Sequence, residues 1–298
     1  FIIYAAHQND LFQSCKLRTY IRKRLVRIYP TYWFVFLPVF FVALAVPSLS
    51  NTVPHDVILT IQSLLLVPMD KSVVGGTGAP VILVAWSLQY EIFFYFLFGL
   101  MIFSRLLSII AVISVSLIYV SNLFFHYDVF PLTFLSQDYI VLFALGVFVS
   151  VVHNKTKSSA RHASIFLLIG LALFVCIAAD TVAQLNIFEN WRILLYGLAS
   201  SLIIVGLVKA EYNGRIIGGQ NWLQLFGNSS YALYLIHFPL ISLLCKLGIY
   251  VQLDSLGIAG AVIASVVIFC SCLISSIAFH LWIEKPASNY FSPRRKPA

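Results

Sequence analysis

A single carboxylate stands inside a strongly apolar segment that runs from Trp86 to Tyr95. On a helix, Ser87, Glu91 and Tyr95 are four residues apart and share one face. If this segment crosses a bilayer, a charge at its centre costs about 2.5–3.5 kcal/mol, so Glu91 requires an explanation. Glu91 is either a carboxyl group hydrogen-bonded into a helix bundle for structure, or a catalytic or substrate-orienting carboxylate.

A second polar stripe lies in the apolar segment around His237. Ser230, Tyr234 and His237 share one helix face, and Pro239 follows directly. An imidazole titrates near neutral pH, so His237 could carry a proton in catalysis. The alternative is a histidine whose nitrogens are satisfied by hydrogen bonds within the helix bundle.

A third segment combines positive charge with aromatic residues. Arg24 and Arg27 are three residues apart, so we expect them on one helix face at the beginning of the next apolar span. One interpretation is that they only anchor the helix at the membrane surface, with Tyr32 and Trp33 in the aromatic belt. The other interpretation is a clamp for a phosphorylated ligand, because arginine binds phosphate in a bidentate manner.

The composition predicts the elements that must position these groups. The chain has 298 residues, of which 60% are hydrophobic and 10% are charged, whereas soluble domains average about 25% charged residues. We therefore predict an all-α polytopic membrane protein. Apolar stretches long enough to cross a bilayer predict eight transmembrane helices, at about 31–49, 82–103, 106–125, 137–152, 163–180, 192–208, 229–248 and 256–283.

Two shorter segments lie between the first and second predicted spans. Residues 57–69 are apolar but too short to cross, so we expect them in the interface or in a re-entrant position. Residues 75–80 are rich in Gly and end in Pro, which predicts a loop, and they lack the Lys-Ser/Thr of a nucleotide-binding P-loop.

The basic residues predict the orientation. Of the 19 Lys and Arg, sixteen fall on the side of the bundle that holds both chain ends and three fall on the other side. Because Lys and Arg collect in cytoplasmic loops, both ends of the chain are predicted to be cytoplasmic. The same rule accounts for the net charge of +8, so we expect no nucleic-acid partner, and no metal-ligand spacing occurs.

Together the three segments resemble the acyltransferase-3 family of bacterial membrane O-acyltransferases. The similarity covers nearly the whole chain, in the order Arg24-Leu-Val-Arg27-Ile-Tyr-Pro-Thr-Tyr-Trp, Trp86-Ser-Leu-Gln-Tyr-Glu-Ile-Phe-Phe-Tyr, Ser230-Tyr-Ala-Leu-Tyr-Leu-Ile-His-Phe-Pro and Ile283-Glu-Lys-Pro. The resemblance implies one integral-membrane domain over residues 1–298, in the bacterial cytoplasmic membrane.

The resemblance also implies an activity: transfer of an acyl group, often acetyl, from acyl-CoA to a hydroxyl of a carbohydrate or lipid-linked glycan of the cell envelope. It implies that Arg24 and Arg27 handle the acyl-CoA, and that Trp86, Ser87 and Tyr95 surround Glu91 in a second motif. Tyr234 and His237 belong to the third motif. No permanently bound cofactor is expected.

The chain departs from the family at its beginning. Family members have about ten spans, and a His in the first span is the expected catalytic base; this chain begins at Phe1, in what resembles the end of the second span. We therefore expect a fragment that lacks its first one or two spans and that base, and we do not assign the vacant role to His237.

Two other functions explain the predicted spans and their polar groups. A transporter or flippase of glycan or lipid-linked sugar would also need polar groups inside the membrane. If the chain is expressed as it stands, a scaffold or binding protein becomes the better interpretation of its function. Binding of acyl-CoA that depends on both arginines separates the enzyme from these alternatives.

Overall fold

The computed structural model describes residues 1–46, 53–155, 160–214 and 219–291, and within these residues the chain forms helices and no strand. The α-helices are, in order, α1 Ile2–His7, α2 Leu17–Ala45, α3 Val57–Leu64, α4 Lys71–Val74, α5 Trp86–Phe103, α6 Arg105–Phe125, α7 Leu132–Leu135, α8 Tyr139–Lys155, α9 Ala160–Val182, α10 Arg192–Tyr212, α11 Asn221–Tyr250, α12 Gly257–Phe279 and α13 Lys285–Phe291.

Eight helical segments in the described residues are long and apolar enough to cross a membrane, which confirms the predicted all-α polytopic fold. They are Ser14–Ala45, Leu83–Phe103, Arg105–Phe125, Leu132–Val152, Ala163–Val182, Glu189–Tyr212, Asn221–Tyr250 and Gly257–Phe291. Each contains most of one predicted span. The predicted end of the first span, at residue 49, lies outside the described residues.

Several spans are longer than hydropathy predicts. Helix α2 begins at Leu17 and not at residue 31, and it continues through Pro30 and Pro38. Helix α11 begins at Asn221, eight residues before its predicted start at 229. Charged and polar residues in the first turns of these helices lower the mean hydropathy, but they do not interrupt the backbone hydrogen bonds that define a helix.

The last span continues beyond residue 283 through a wide turn. Residues His280–Glu284 form one π-helical turn between α12 and α13. Pro286 follows, and its missing N–H removes the bond that the carbonyl of Trp282 would accept in an α-helix. Single π turns of this kind occur mostly inside longer helices and often at functional sites.

Contacts divide the chain into two compact units. The first comprises residues 1–16 and 100–219. In it, α9 and α10 approach closely at two glycines: a Cβ atom on Gly206 would lie 2.7 Å from the backbone nitrogen of Leu167, and one on Gly170 would lie 2.8 Å from that of Ile203. Small residues at such contacts allow membrane helices to pack backbone against backbone.

The second unit comprises residues 17–99 and 220–298 and contains all the predicted site residues. Helix α2 supplies its buried face, because Tyr20, Arg24, Ile28, Tyr32 and Phe36 recur every four residues and each is at most 7% exposed. This spacing is the helical period of a core-facing stripe.

Helix α3 lies against the middle of α2. The last carbonyl groups of a helix have no partner within it, and here three aromatic side chains of α2 donate to them. Tyr32 Oη donates to the Ser63 carbonyl (2.8 Å), Trp33 Nε1 to that of Leu64 (3.0 Å) and Tyr29 Oη to that of Leu65 (2.8 Å).

These contacts bear on the two positions predicted for residues 57–69. They lie near the midpoint of the 29-residue α2 and not at its end, so they favour the re-entrant position for residues 57–69 over the interfacial one. Irregular backbone at membrane depth persists only where protein groups satisfy it. Tyr32 is 1% exposed, so its assignment to an aromatic belt was wrong.

Candidate active site

The structure gives the two predicted arginines different surroundings. Arg24 is 7% exposed, and its guanidinium carbon lies 5.6 Å from the ring centre of Tyr20 and 5.4 Å from that of Tyr95. Both distances are within the range of cation–π attraction. Arg24 Nε is buried and has no hydrogen-bond partner among the described residues. Arg24 therefore presents an unused donor inside the unit.

Arg27 is exposed and faces a cavity at the beginning of α2. The cavity has a volume of about 250 Å³, and its lining residues are Arg22, Lys23, Val26, Arg27, Thr31, Glu284 and Ser288. Three cationic side chains and one carboxylate therefore line this cavity. The sequence predicts a shared face for the two arginines, but they do not line one cavity.

Glu91 is joined to the same interior cluster through Tyr95. Tyr95 Oη donates to Glu91 Oε1, one turn earlier on α5. Tyr20 Oη donates to the backbone carbonyl of Tyr95 at 3.3 Å and fixes α5 against α2. Glu91, Tyr95, Tyr20 and Arg24 thus form a continuous polar cluster between these two helices.

Ser87 of the Trp86–Tyr95 motif and Tyr234 of the motif around His237 are in direct contact. Such a contact is expected if these two motifs form one site. Tyr234 Oη donates to the backbone carbonyl of Val84, and Ser87 Oγ lies 2.6 Å from Tyr234 Oη. A tyrosine hydroxyl has one hydrogen and a carbonyl only accepts, so Ser87 is the donor of the second bond. This pair ties α11 to the beginning of α5.

His237 has a local partner. Its Nδ1 lies 3.1 Å from the backbone carbonyl of Leu233, one turn earlier on α11, and its ring centre lies 6.1 Å from that of Tyr234. Because a carbonyl accepts only, Nδ1 carries the hydrogen of this bond. The described residues show no carboxylate bonded to His237, so its contacts match the structural alternative.

Trp86 begins α5 beside the Ser87–Tyr234 pair. Its ring packs edge-to-face on Tyr90 at 6.3 Å between centres. Trp86 does not line the basic cavity. Its observed contact shapes the start of α5.

Gln89 is a residue of the site that sequence reasoning missed. It is 4% exposed, and its Nε2 donates to the carbonyls of Gly78 (2.9 Å) and Val67 (3.3 Å). Gly78 adopts φ +84°, a conformation that side chains rarely allow, which confirms the predicted glycine loop. The signal in the sequence was an amide between Ser87 and Glu91 in an apolar span, where a polar group needs partners.

Tyr231 is a second such residue. Its Oη donates to the backbone carbonyl of Ile28 at 3.0 Å. Tyr231 therefore fixes α11 against α2 close to the two arginines.

This arrangement separates two chemical environments along α2. The cavity at its beginning holds positive charge in an open volume and suits an anionic group. The interior cluster holds an unpaired guanidinium donor, a carboxylate and two phenol groups, which can polarise a carbonyl or orient a hydroxyl.

The sequence is similar to a known protein family and to a curated relative. The model of the acyltransferase-3 family, described as an acyltransferase domain, matches residues 9–280. The chain is 27% identical over 284 residues to the exopolysaccharide production protein ExoZ of Rhizobium meliloti (strain 1021). That alignment covers 94% of this chain and 84% of ExoZ. No solved structure matches the chain significantly.

Proposed function

Because the chain belongs to the acyltransferase-3 family, we propose that this multi-pass membrane acyltransferase moves an acyl group, acetyl in particular, from acyl-CoA to a hydroxyl of a cell-envelope carbohydrate. ExoZ is described as an exopolysaccharide production protein, which supports a polysaccharide or its lipid-linked precursor as acceptor. The observation that carries the choice of donor is the cationic cavity beside Arg27.

The cavity suits the phosphates of coenzyme A. Arg22, Lys23 and Arg27 line it, and arginine forms short, charge-assisted hydrogen bonds to phosphate oxygens. Its 250 Å³ lies below the range of about 300–1,000 Å³ that encloses a drug-sized ligand. We infer that it holds the phosphate-bearing end of the donor while the acyl end extends toward the interior cluster.

We assign Arg24 to the reacting end of the donor. In the transfer step, the acceptor oxygen attacks the thioester carbonyl carbon, and a base takes the hydroxyl proton. The C–S bond then breaks, and coenzyme A leaves as its thiolate. Negative charge develops on the carbonyl oxygen, and a preorganised donor such as Arg24 Nε stabilises it in a site that excludes water.

The remaining predicted residues take roles around this step. Glu91 accepts from Tyr95 and is our candidate carboxylate for orienting the acceptor hydroxyl or taking its proton. Trp86, Ser87 and Tyr234 shape the same region through the contact of α5 with α11. The Nδ1 of His237 is bonded to the carbonyl of Leu233 on its own helix, so we give His237 a structural role.

Under this proposal the protein lies in the bacterial cytoplasmic membrane with its C-terminus in the cytoplasm. Two observations support this orientation. Sixteen of the 19 Lys and Arg fall on the predicted cytoplasmic side. Arg22 Nη2 donates to the carbonyl of Phe291 at 3.2 Å, which brings the basic start of α2 beside the end of α13.

The experiment compares Arg27→Ala with Arg18→Ala. Arg18 is exposed on the same helix but does not line the cavity, so it is a matched control for loss of one charge. We measure coenzyme A binding to the chain in lipid nanodiscs by calorimetry. Hydrogen bonds to charged groups contribute about 1.5–3 kcal/mol, so Arg27→Ala should weaken binding by at least about tenfold, and Arg18→Ala should change it less than about twofold.

Two results contradict the proposal. The first is equal coenzyme A affinity in both variants and in the unmodified chain. The second comes from cells that express the gene: movement of a lipid-linked glycan across the membrane, with no acyl ester on the polysaccharide, would show a transporter.

A further inference from the structure

The π turn between α12 and α13 holds a His–Glu pair that the proposed mechanism does not use. His280 Nδ1 lies 2.8 Å from Glu284 Oε2, and the two side chains are 14% and 16% exposed. From the sequence this pair would be a membrane-edge anchor. In the structure Glu284 also lines the basic cavity, so its charge faces the volume assigned to the donor's phosphates.

The carboxylate is not neutralised by the cations across the cavity. Within the described ranges, Arg22, Lys23 and Arg27 form no ion pair with Glu284, whose hydrogen-bond partner is His280. Arg22 donates to the carbonyl of Phe291. The cavity therefore offers cations on the wall formed by α2 and a fixed anion on the wall formed by the π turn.

We propose that Glu284, held in place by His280, makes this cavity select a phosphate group attached to a hydrogen-bond-donating nucleoside over a bare polyphosphate. The inference rests on the proposed function and deepens it by naming a specificity-determining residue. Lys23 and Arg27 bind the phosphate oxygens, and the free carboxylate oxygen of Glu284 accepts a hydrogen bond from a neutral N–H or O–H group beside them.

The physical basis is the difference between two ligand surfaces. A bare pyrophosphate presents only anionic oxygens, so any pose that reaches the cations also brings charge toward the carboxylate, and like charges repel. A nucleotide presents ribose hydroxyls and an exocyclic amine next to its phosphates. An ionised carboxylate accepts hydrogen bonds and donates none, so it favours that neutral edge.

His280 acts as a positioning residue. Its Nδ1 occupies Oε2 and leaves Oε1 for a ligand. In the five-residue π turn, His280 and Glu284 are close enough to bond while the chain continues into α13. Without His280, the flexible glutamate could turn toward the cations and occupy them.

The test uses two substitutions of Glu284 and two probes. Glu284→Gln removes the charge but keeps an oxygen acceptor, and Glu284→Ala removes both. Coenzyme A and inorganic pyrophosphate are titrated by calorimetry into the chain in nanodiscs. Glu211→Gln is the matched control, because Glu211 is exposed at the end of α10 in the other compact unit.

We expect pyrophosphate to bind at least about fivefold more tightly to both variants, because the repulsion is gone. Coenzyme A should bind within about threefold of the unmodified affinity in Glu284→Gln and about tenfold more weakly in Glu284→Ala. His280→Ala should reduce the preference for coenzyme A over pyrophosphate by an intermediate factor. Thermal unfolding of each variant reports whether the bundle remains intact.

Three outcomes overturn the inference: no change in either ligand, an equal gain for both ligands in both variants, and an equal loss for both. No change would mean that Glu284 lies outside the binding volume. An equal gain would mean that it only repels anions, and an equal loss would mean that it is a structural anchor. Each leaves the proposed function standing if Arg27→Ala still weakens coenzyme A binding by at least about tenfold, so the two ideas fail separately.

Discussion

The three aromatic donors of α2 should control the local stability of α3. In the variant Tyr32→Phe, the bond from Tyr32 Oη to the Ser63 carbonyl is lost in a site where Tyr32 is 1% exposed. That carbonyl keeps a second donor, the backbone N–H of Leu66 at 3.2 Å. The loss is therefore that of one net hydrogen bond, about 0.5–1.5 kcal/mol, and not the larger cost of an orphaned carbonyl.

Hydrogen–deuterium exchange in nanodiscs measures this directly. If α3 opens locally, exchange of the amides in residues 58–66 should accelerate by about two- to twelvefold, since about 1.4 kcal/mol is tenfold in an equilibrium constant. Helix α6 should exchange at its original rate. Tyr250→Phe serves as the control, because Tyr250 is 85% exposed and its hydroxyl forms no hydrogen bond among the described residues.

Two results would refute this reasoning. Equal exchange in Tyr32→Phe and Tyr250→Phe would mean that the hydroxyl does not hold the end of α3. Acceleration throughout the bundle would mean that Tyr32 stabilises the whole unit and not this segment.

Two further predictions concern packing and the contact of α5 with α11. Gly206→Ala should lower the unfolding midpoint in detergent by an amount equivalent to about 1–3 kcal/mol, because its Cβ would lie 2.7 Å from the backbone of Leu167. Gly248→Ala should be neutral or stabilising, because its Cβ would meet no neighbouring heavy atom of the described residues within 4 Å. A larger loss of stability in Gly248→Ala than in Gly206→Ala would contradict the argument. Tyr234→Phe should cost about 1–3 kcal/mol because it removes two hydrogen bonds, the one to the Val84 carbonyl and the one from the Ser87 hydroxyl. Ser87→Ala removes only the second bond and should cost less, and the reverse order would show that the assigned bond directions are wrong.

Hydropathy was sufficient to locate all eight spans, because a bilayer imposes the same length and polarity on each of them. It failed at helix ends such as Leu17, where charged residues continue a helix that the hydropathy window excludes. It could not find the π turn at His280–Glu284 either, because that turn depends on how the chain meets Pro286 and the start of α2.

The candidate site was predictable in its members but not in its arrangement. The spacing of Arg24 and Arg27 predicted a common face, yet one side chain is buried between two tyrosine rings and the other lines a cavity. Which side of a helix faces which neighbour depends on tertiary packing, and the helical period alone does not contain it. The contact of Ser87 with Tyr234 joins positions 147 residues apart, beyond the reach of any local pattern.

The attachment of α3 to α2 also bears on the order in which the protein is made. The carbonyls of residues 63–65 accept from Tyr29, Tyr32 and Trp33, and those donors leave the ribosome about thirty residues before their acceptors. When the short helix emerges, its partners already stand on a helix that can enter the bilayer without it. A circular permutant that synthesises residues 57–69 before α2 would expose these carbonyls to lipid. The natural order of the chain therefore protects these polar backbone groups during biogenesis.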